Sequence, residues 1–60
     1  MLKIIKRHPT EKWEVSLIEL QSGGEKKFKV TRRLPEMSVA ETKVFISKSK
    51  AKKQLNDWLK

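Results

Sequence analysis

Two adjacent glycines, Gly23 and Gly24, stand between two runs in which apolar and polar residues alternate, and nothing else in the chain restricts its fold as tightly. Glycine reaches positive φ without steric penalty, so Gln21-Ser22-Gly23-Gly24 reads as a hairpin turn. Before it, Trp13, Val15 and Leu17 point one way and Glu14 and Ser16 the other. At Ile18-Glu19-Leu20 the apolar phase flips, which predicts either a bulge or a strand end covered on both faces. After the turn, Phe28, Val30 and Leu34 share a face with Lys26 and Arg32, while Lys27, Lys29, Thr31 and Arg33 take the opposite face. Pro35 ends that strand, because it has no N–H to give to a ladder.

Upstream, Leu2 to Arg7 is short and β-branched at Ile4 and Ile5, so it reads as a strand, and His8-Pro9-Thr10-Glu11 reads as a turn. Downstream, Ser38-Val39-Ala40-Glu41 matches a capping box, yet Thr42-Lys43-Val44-Phe45-Ile46 is β-branched and aromatic. A loop followed by a fourth strand over Thr42 to Ile46 is expected. The competing expectation is one long helix from Ser38 onward, with Ala40, Val44, Ala51, Leu55 and Trp58 on one stripe. The last segment is clearer: Ala51, Leu55, Trp58 and Leu59 form an apolar helical stripe, and Ser47 or Ser49 would cap it.

These elements predict an α+β fold in a single domain, residues 1–60. A small antiparallel sheet of three to four strands, a meander or small barrel-like, would span about residues 2–7, 12–20, 25–34 and 42–46. One C-terminal amphipathic helix over about residues 48–59 would pack on one sheet face. A chain of 60 residues buries only about 60% of the surface its unfolded form exposes, and the absence of cysteine removes disulfides and thiolate metal sites. No apolar run approaches the roughly 20 residues that span a bilayer. The charged start, Met1-Leu2-Lys3-Ile4-Ile5-Lys6-Arg7, does not read as a secretory signal. A soluble, cytoplasmic protein is therefore expected.

Fifteen Lys and Arg face seven Asp and Glu, for a formal charge of +8. A density this high opposes the compact state through self-repulsion, and a polyanionic partner would use it. The charge is not spread evenly: residues 21–35 and 47–60 carry +4 each. Lys27, Lys29 and Arg33 project from one strand face, repeating every ~6.5–7 Å or twice that, within reach of successive phosphates. Lys48, Lys50, Lys52 and Lys53 crowd the first turns of the expected helix. Its dipole disfavours cations there by about 0.3–1 kcal/mol each. An anion held by free backbone N–H groups, by the Ser47 and Ser49 hydroxyls and by those lysines would reverse that penalty. Trp13, Phe28 and Trp58 are expected in the core. Phe45, in phase with Lys43, is expected exposed beside the basic strand, where it could stack on a base.

Catalytic signatures are weak. His8 is a lone histidine in a turn, expected to be solvated, and no metal site is expected around it. No serine or threonine has an elbow glycine pattern or a spare base. Glu11, Glu14 and Glu19 do not make a convincing catalytic pair, and Gly23-Gly24 lacks the further residues of a phosphate loop. The expectation is a non-enzymatic module without cofactor, monomeric or weakly homo-oligomeric, that binds nucleic acid (DNA or RNA) mainly through the phosphate backbone. Its candidate contacts are Lys27, Lys29, Arg33, Lys43, Phe45, Ser47, Lys48, Ser49, Lys50, Lys52 and Lys53. No motif of an RNA-recognition domain or a double-stranded RNA-binding domain is present. The alternative is a protein-interaction module or regulatory subunit docking on an acidic protein partner, with Ile5, Ile18 and Phe45 as an exposed apolar patch. Binding of the lysine-rich helix to a membrane surface is a third option, weakened because the core would use its apolar stripe.

Overall fold

A computed structural model describes residues 2–36 and 39–60. Four strands, β1 (Lys3–Arg7), β2 (Glu14–Ser22), β3 (Glu25–Leu34) and β4 (Val39–Phe45), precede one helix, α1 (Lys48–Trp58). The strands pair in chain order as an open antiparallel meander. The helix packs against β2, β3 and β4 on one face. The α+β class and the sheet-then-helix order agree with the sequence expectation.

The hairpin follows from its glycines. Ser22 pairs with Glu25, leaving only Gly23 and Gly24 to turn, at φ 56° and 84°. A two-residue turn of this hand needs positive φ at both central positions, which matches the right-handed twist of the flanking strands. From that turn the β2–β3 register runs without interruption through Ile18, Glu19 and Leu20. The phase flip is therefore neither a bulge nor a doubly covered strand end. Ile18 and Leu20 simply lie on the face away from the helix, and Leu20 is exposed there.

Alternation determines what is buried. Val15 and Leu17 from β2 and Phe28 and Val30 from β3 meet Ala51 and Leu55 from α1, with Leu2, Ile4, Phe45, Trp58 and Leu59 packed around them. Burying a side chain such as Leu17 stabilises the fold by roughly 1.5–3 kcal/mol. The helix start is capped as its sequence suggests: Ser47 Oγ accepts the Lys50 N–H at 3.4 Å.

Three expectations are corrected. The long helix is absent, since Val39 to Phe45 pairs with β3, and that strand begins three residues before the expected Thr42. Hydrogen bonding to the exposed edge of β3 outweighs the local capping pattern, whose Ser38 lies outside the described residues. His8 is not solvated but buried. Its Nδ1 accepts backbone N–H groups of Thr10 and Glu11 at 3.1 and 3.0 Å, so the ring proton sits on Nε2, which donates to the backbone oxygen of Lys60 at 2.6 Å. The partner that buries the ring lies 52 residues away, beyond any local pattern. Trp13 is half-buried and stands beside the core cluster, not within it. Its ring is covered by the Arg32 guanidinium, 4.8 Å from the ring centroid.

Candidate functional site

The face of the sheet opposite α1 carries no covering element among the described residues. Register and alternation place Lys3, Ile5 and Arg7 of β1 there, then Glu14, Ser16, Ile18 and Leu20 of β2. From β3 come Glu25, Lys27, Lys29, Thr31 and Arg33, and from β4 Ala40, Thr42 and Val44. Across the strands, Lys3, Ile18, Lys29 and Val44 share one row, and Ile5, Ser16, Thr31 and Thr42 the next. The two threonine hydroxyls lie 3.1 Å apart. Residues two apart on a strand repeat every ~6.6 Å, and β1 lies about 10 Å from β3, with β2 between them.

Charge on this face is uneven. Arg33 is held by Glu14, Nη2 to Oε1 at 3.1 Å. Lys3, Arg7, Lys27 and Lys29 join no ion pair among the described residues. Between and beside them lie Ile5, Ile18, Leu20 and Val44, three of which are more than 40% exposed. The face thus combines unpaired cations with aliphatic side chains and hydroxyls, and it has no aromatic residue.

The expected site residues divide into three groups. Lys27, Lys29 and Arg33 share the open face, as alternation with Phe28 and Val30 indicates. Lys43 and Phe45 do not: they lie on the helix side. Phe45 pairs across the strands with Phe28 and packs half-buried against the core, so it is not an exposed stacking platform. The antiparallel register decides this, because β4 residues in phase with Phe28 must share its face. Lys43 Nζ reaches Gln54 Oε1 at 3.4 Å and lies 5.7 Å from the Trp58 ring. The third group, Ser47, Lys48, Ser49, Lys50, Lys52 and Lys53, forms the helix start. There the two serine hydroxyls bond each other at 2.9 Å, and Ser47 also caps Lys50, so both are already engaged. The four lysines are exposed. Since α1 begins just past the Phe28–Phe45 pair, they sit at the same end of the sheet as Lys3, Lys27 and Lys29, over its other face.

Lys3 and Arg7 were missed by the sequence reading. Their signal was present, since Ile4 turned inward forces Lys3, Ile5 and Arg7 outward together. Reading it required the pairing of β1 with β2.

The opposite end of the sheet is built differently. Arg32 lies between Trp13 and Trp58, 4.8 and 4.9 Å from their centroids, and donates through Nε and Nη2 to Glu41 Oε1 at 3.1 and 2.7 Å. A cleft of about 470 Å³ opens nearby, lined in part by Arg7, His8, Trp13 and Leu34, with the Lys12–Glu36 pair beside it at 3.5 Å. Both nitrogens of His8 are occupied by backbone partners, which leaves that cleft without a free imidazole base. Among the described residues no group of three His, Cys, Asp or Glu could hold a metal ion, and no helix is long and apolar enough to cross a membrane. Comparison with protein-family models, curated proteins and solved structures finds no match to this chain, so the open basic face must be interpreted from its own geometry.

Proposed function

We propose that this chain is a nucleic-acid-binding module, not an enzyme, and that it holds the phosphate backbone against the open face of its sheet. One observation carries the proposal: Lys3, Arg7, Lys27 and Lys29 stand unpaired on an uncovered face although the chain has acids with which to pair them. Four of the seven acids are placed instead at Arg32, Arg33, Lys12 and Lys60, and Glu25, on the open face beside Lys27, joins no ion pair among the described residues. Lys48, Lys50, Lys52 and Lys53 extend the positive field around the end that carries Lys3, Lys27 and Lys29 and would speed the approach of a polyanion. On this view the protein works in the cytoplasm as a monomer or weak homo-oligomer, and base identity is read little or not at all.

A binding titration against DNA and RNA at stepped salt tests the proposal. Four phosphate contacts on a duplex give a slope of log K against log salt of about −3.6, so affinity should fall roughly 100-fold between 50 and 200 mM. Absent binding at the lowest salt, or binding indifferent to salt, overturns it. A second reading, an acidic protein partner, is favoured by the exposed Ile5, Leu20 and Val44 among the cations. Burial of that aliphatic surface would make binding persist at high salt, where pure phosphate contacts fail.

A further inference from the structure

On the nucleic-acid reading, which is taken here as the starting point, we infer that the preferred ligand is double-stranded, with β2 lying over a groove and the cations of β1 and β3 reaching the two flanking backbones. The first argument concerns what the open face lacks. Proteins that grip single strands stack bases on aromatic rings, which contribute about 1–3 kcal/mol per base. The chain has four aromatic residues. Trp13, Phe28 and Phe45 point to the helix side of the sheet and Trp58 lies on the helix itself, so none is available on the open face.

The second argument concerns where the cations stand. They form two staggered rails, Lys3 and Arg7 on β1 and Lys27 and Lys29 on β3, which face each other across β2 in the Lys3–Lys29 row. β2 runs between the rails and presents Glu14, Ser16, Ile18 and Leu20, with no cation on this face. The rails are about 10 Å apart at the backbone. The major and minor grooves of B-form DNA are about 12 and 6 Å wide, so long lysine and arginine stems on two such rails can reach phosphates on both edges of one groove. A single strand could occupy only one rail at a time. The aliphatic strip along β2 suits sugar edges and base methyl groups, which are the surfaces a groove offers and a stacking site does not need. Glu14 lies in the Arg7 row, between Arg7 and Arg33, and is paired with Arg33.

The test uses the full chain and a labelled mixed-sequence DNA duplex, the matching RNA duplex and the separated strands, with anionic phospholipid vesicles as a further arm. Two rails on a duplex predict a salt slope of about −3.6, and one rail on a single strand about −1.4. Reversing either rail, K3E/R7E or K27E/K29E, should lower the duplex slope by roughly 2 and leave the single-strand slope less changed. The neutral pairs K3Q/R7Q and K27Q/K29Q should show the same direction, and circular dichroism checks that each variant is folded. Equal or tighter binding to single strands overturns the duplex inference while sparing the nucleic-acid reading. So does a duplex slope that responds to one rail only. Binding to vesicles but to neither nucleic acid, or to none of the ligands at low salt, overturns both. The two duplex arms separate DNA from RNA as the source of the shared backbone chemistry.

Discussion

Where β3 runs toward Pro35, four ion pairs engage the charged side chains, Arg32 with Glu41, Arg33 with Glu14, Lys12 with Glu36 and Lys60 with Asp57, and Arg7, opposite Glu14, stays outside them. Where β2 turns into β3, Lys3, Lys26, Lys27, Lys29 and the helix-start lysines have no acid within ion-pair distance among the described residues. The same chain thus uses charge in two ways. At the paired end an arginine lies between two tryptophans and a buried histidine joins a turn to the end of α1. These charges help define the structure, and solvent reaches some of them only in part. At the hairpin end the charges contribute nothing that the fold requires, and their mutual repulsion works against it. That contrast locates the net +8 and separates residues that shape the molecule from residues open to a ligand.

The largest effect should come from the paired end. His8→Ala removes a buried ring, the acceptor of two backbone N–H groups and the donor to Lys60, leaving polar groups of exposed residues that water reaches in part. With about 0.5–1.5 kcal/mol lost per hydrogen bond, a loss of about 2–3 kcal/mol in urea unfolding is expected. A loss below about 0.5 kcal/mol, typical of a surface position, would mean this end is not tied as described. Arg32→Lys is a finer test, since it keeps the charge and removes the planar fork and the stack over Trp13 and Trp58. With one third of its side chain exposed, about 1 kcal/mol is expected. A neutral result would assign the contact to long-range charge alone.

Much of this contrast was not written locally in the sequence. The hairpin, the inward phase of Val15, Leu17, Phe28 and Val30, and the helix stripe were legible, because a glycine pair and a period of two or 3.6 act within a few residues. The outward phase of Lys27, Lys29 and Arg33 was legible for the same reason. The start of β4 was not, because Val39 to Glu41 are strand only by pairing with Leu34 to Arg32. Phe45 was misplaced because its face depends on that same register. His8 was misjudged because Lys60 closes the ring's environment from the other end of the chain. Local patterning therefore exposed the basic strand face but not the second rail or the clamp at the paired end.

The smallest predicted effect weighs the two ends against each other directly, through the response of stability to sodium chloride. The exposed ion pairs contribute about 0–1 kcal/mol each and weaken as salt screens them, which alone would make the protein less stable. Repulsion acts in the opposite sense. Two unit charges about 7 Å apart in water repel by about 0.6 kcal/mol, and two about 10 Å apart by about 0.4 kcal/mol, the spacings of Lys27 from Lys29 and of Lys3 from Lys29. Several such pairs at the hairpin end together exceed the part of the paired end that salt can reach, because Arg32 is partly shielded between its tryptophans. Raising salt tenfold from a low starting value should therefore stabilise the wild-type chain by about 0.5–1 kcal/mol in thermal or urea unfolding. In K27Q/K29Q the repulsion that involves these two lysines is gone while the paired end is untouched, so the stabilising response to salt should shrink. A wild-type protein destabilised by salt would mean that the paired end dominates the electrostatics, and the division of labour between the two ends would have to be redrawn.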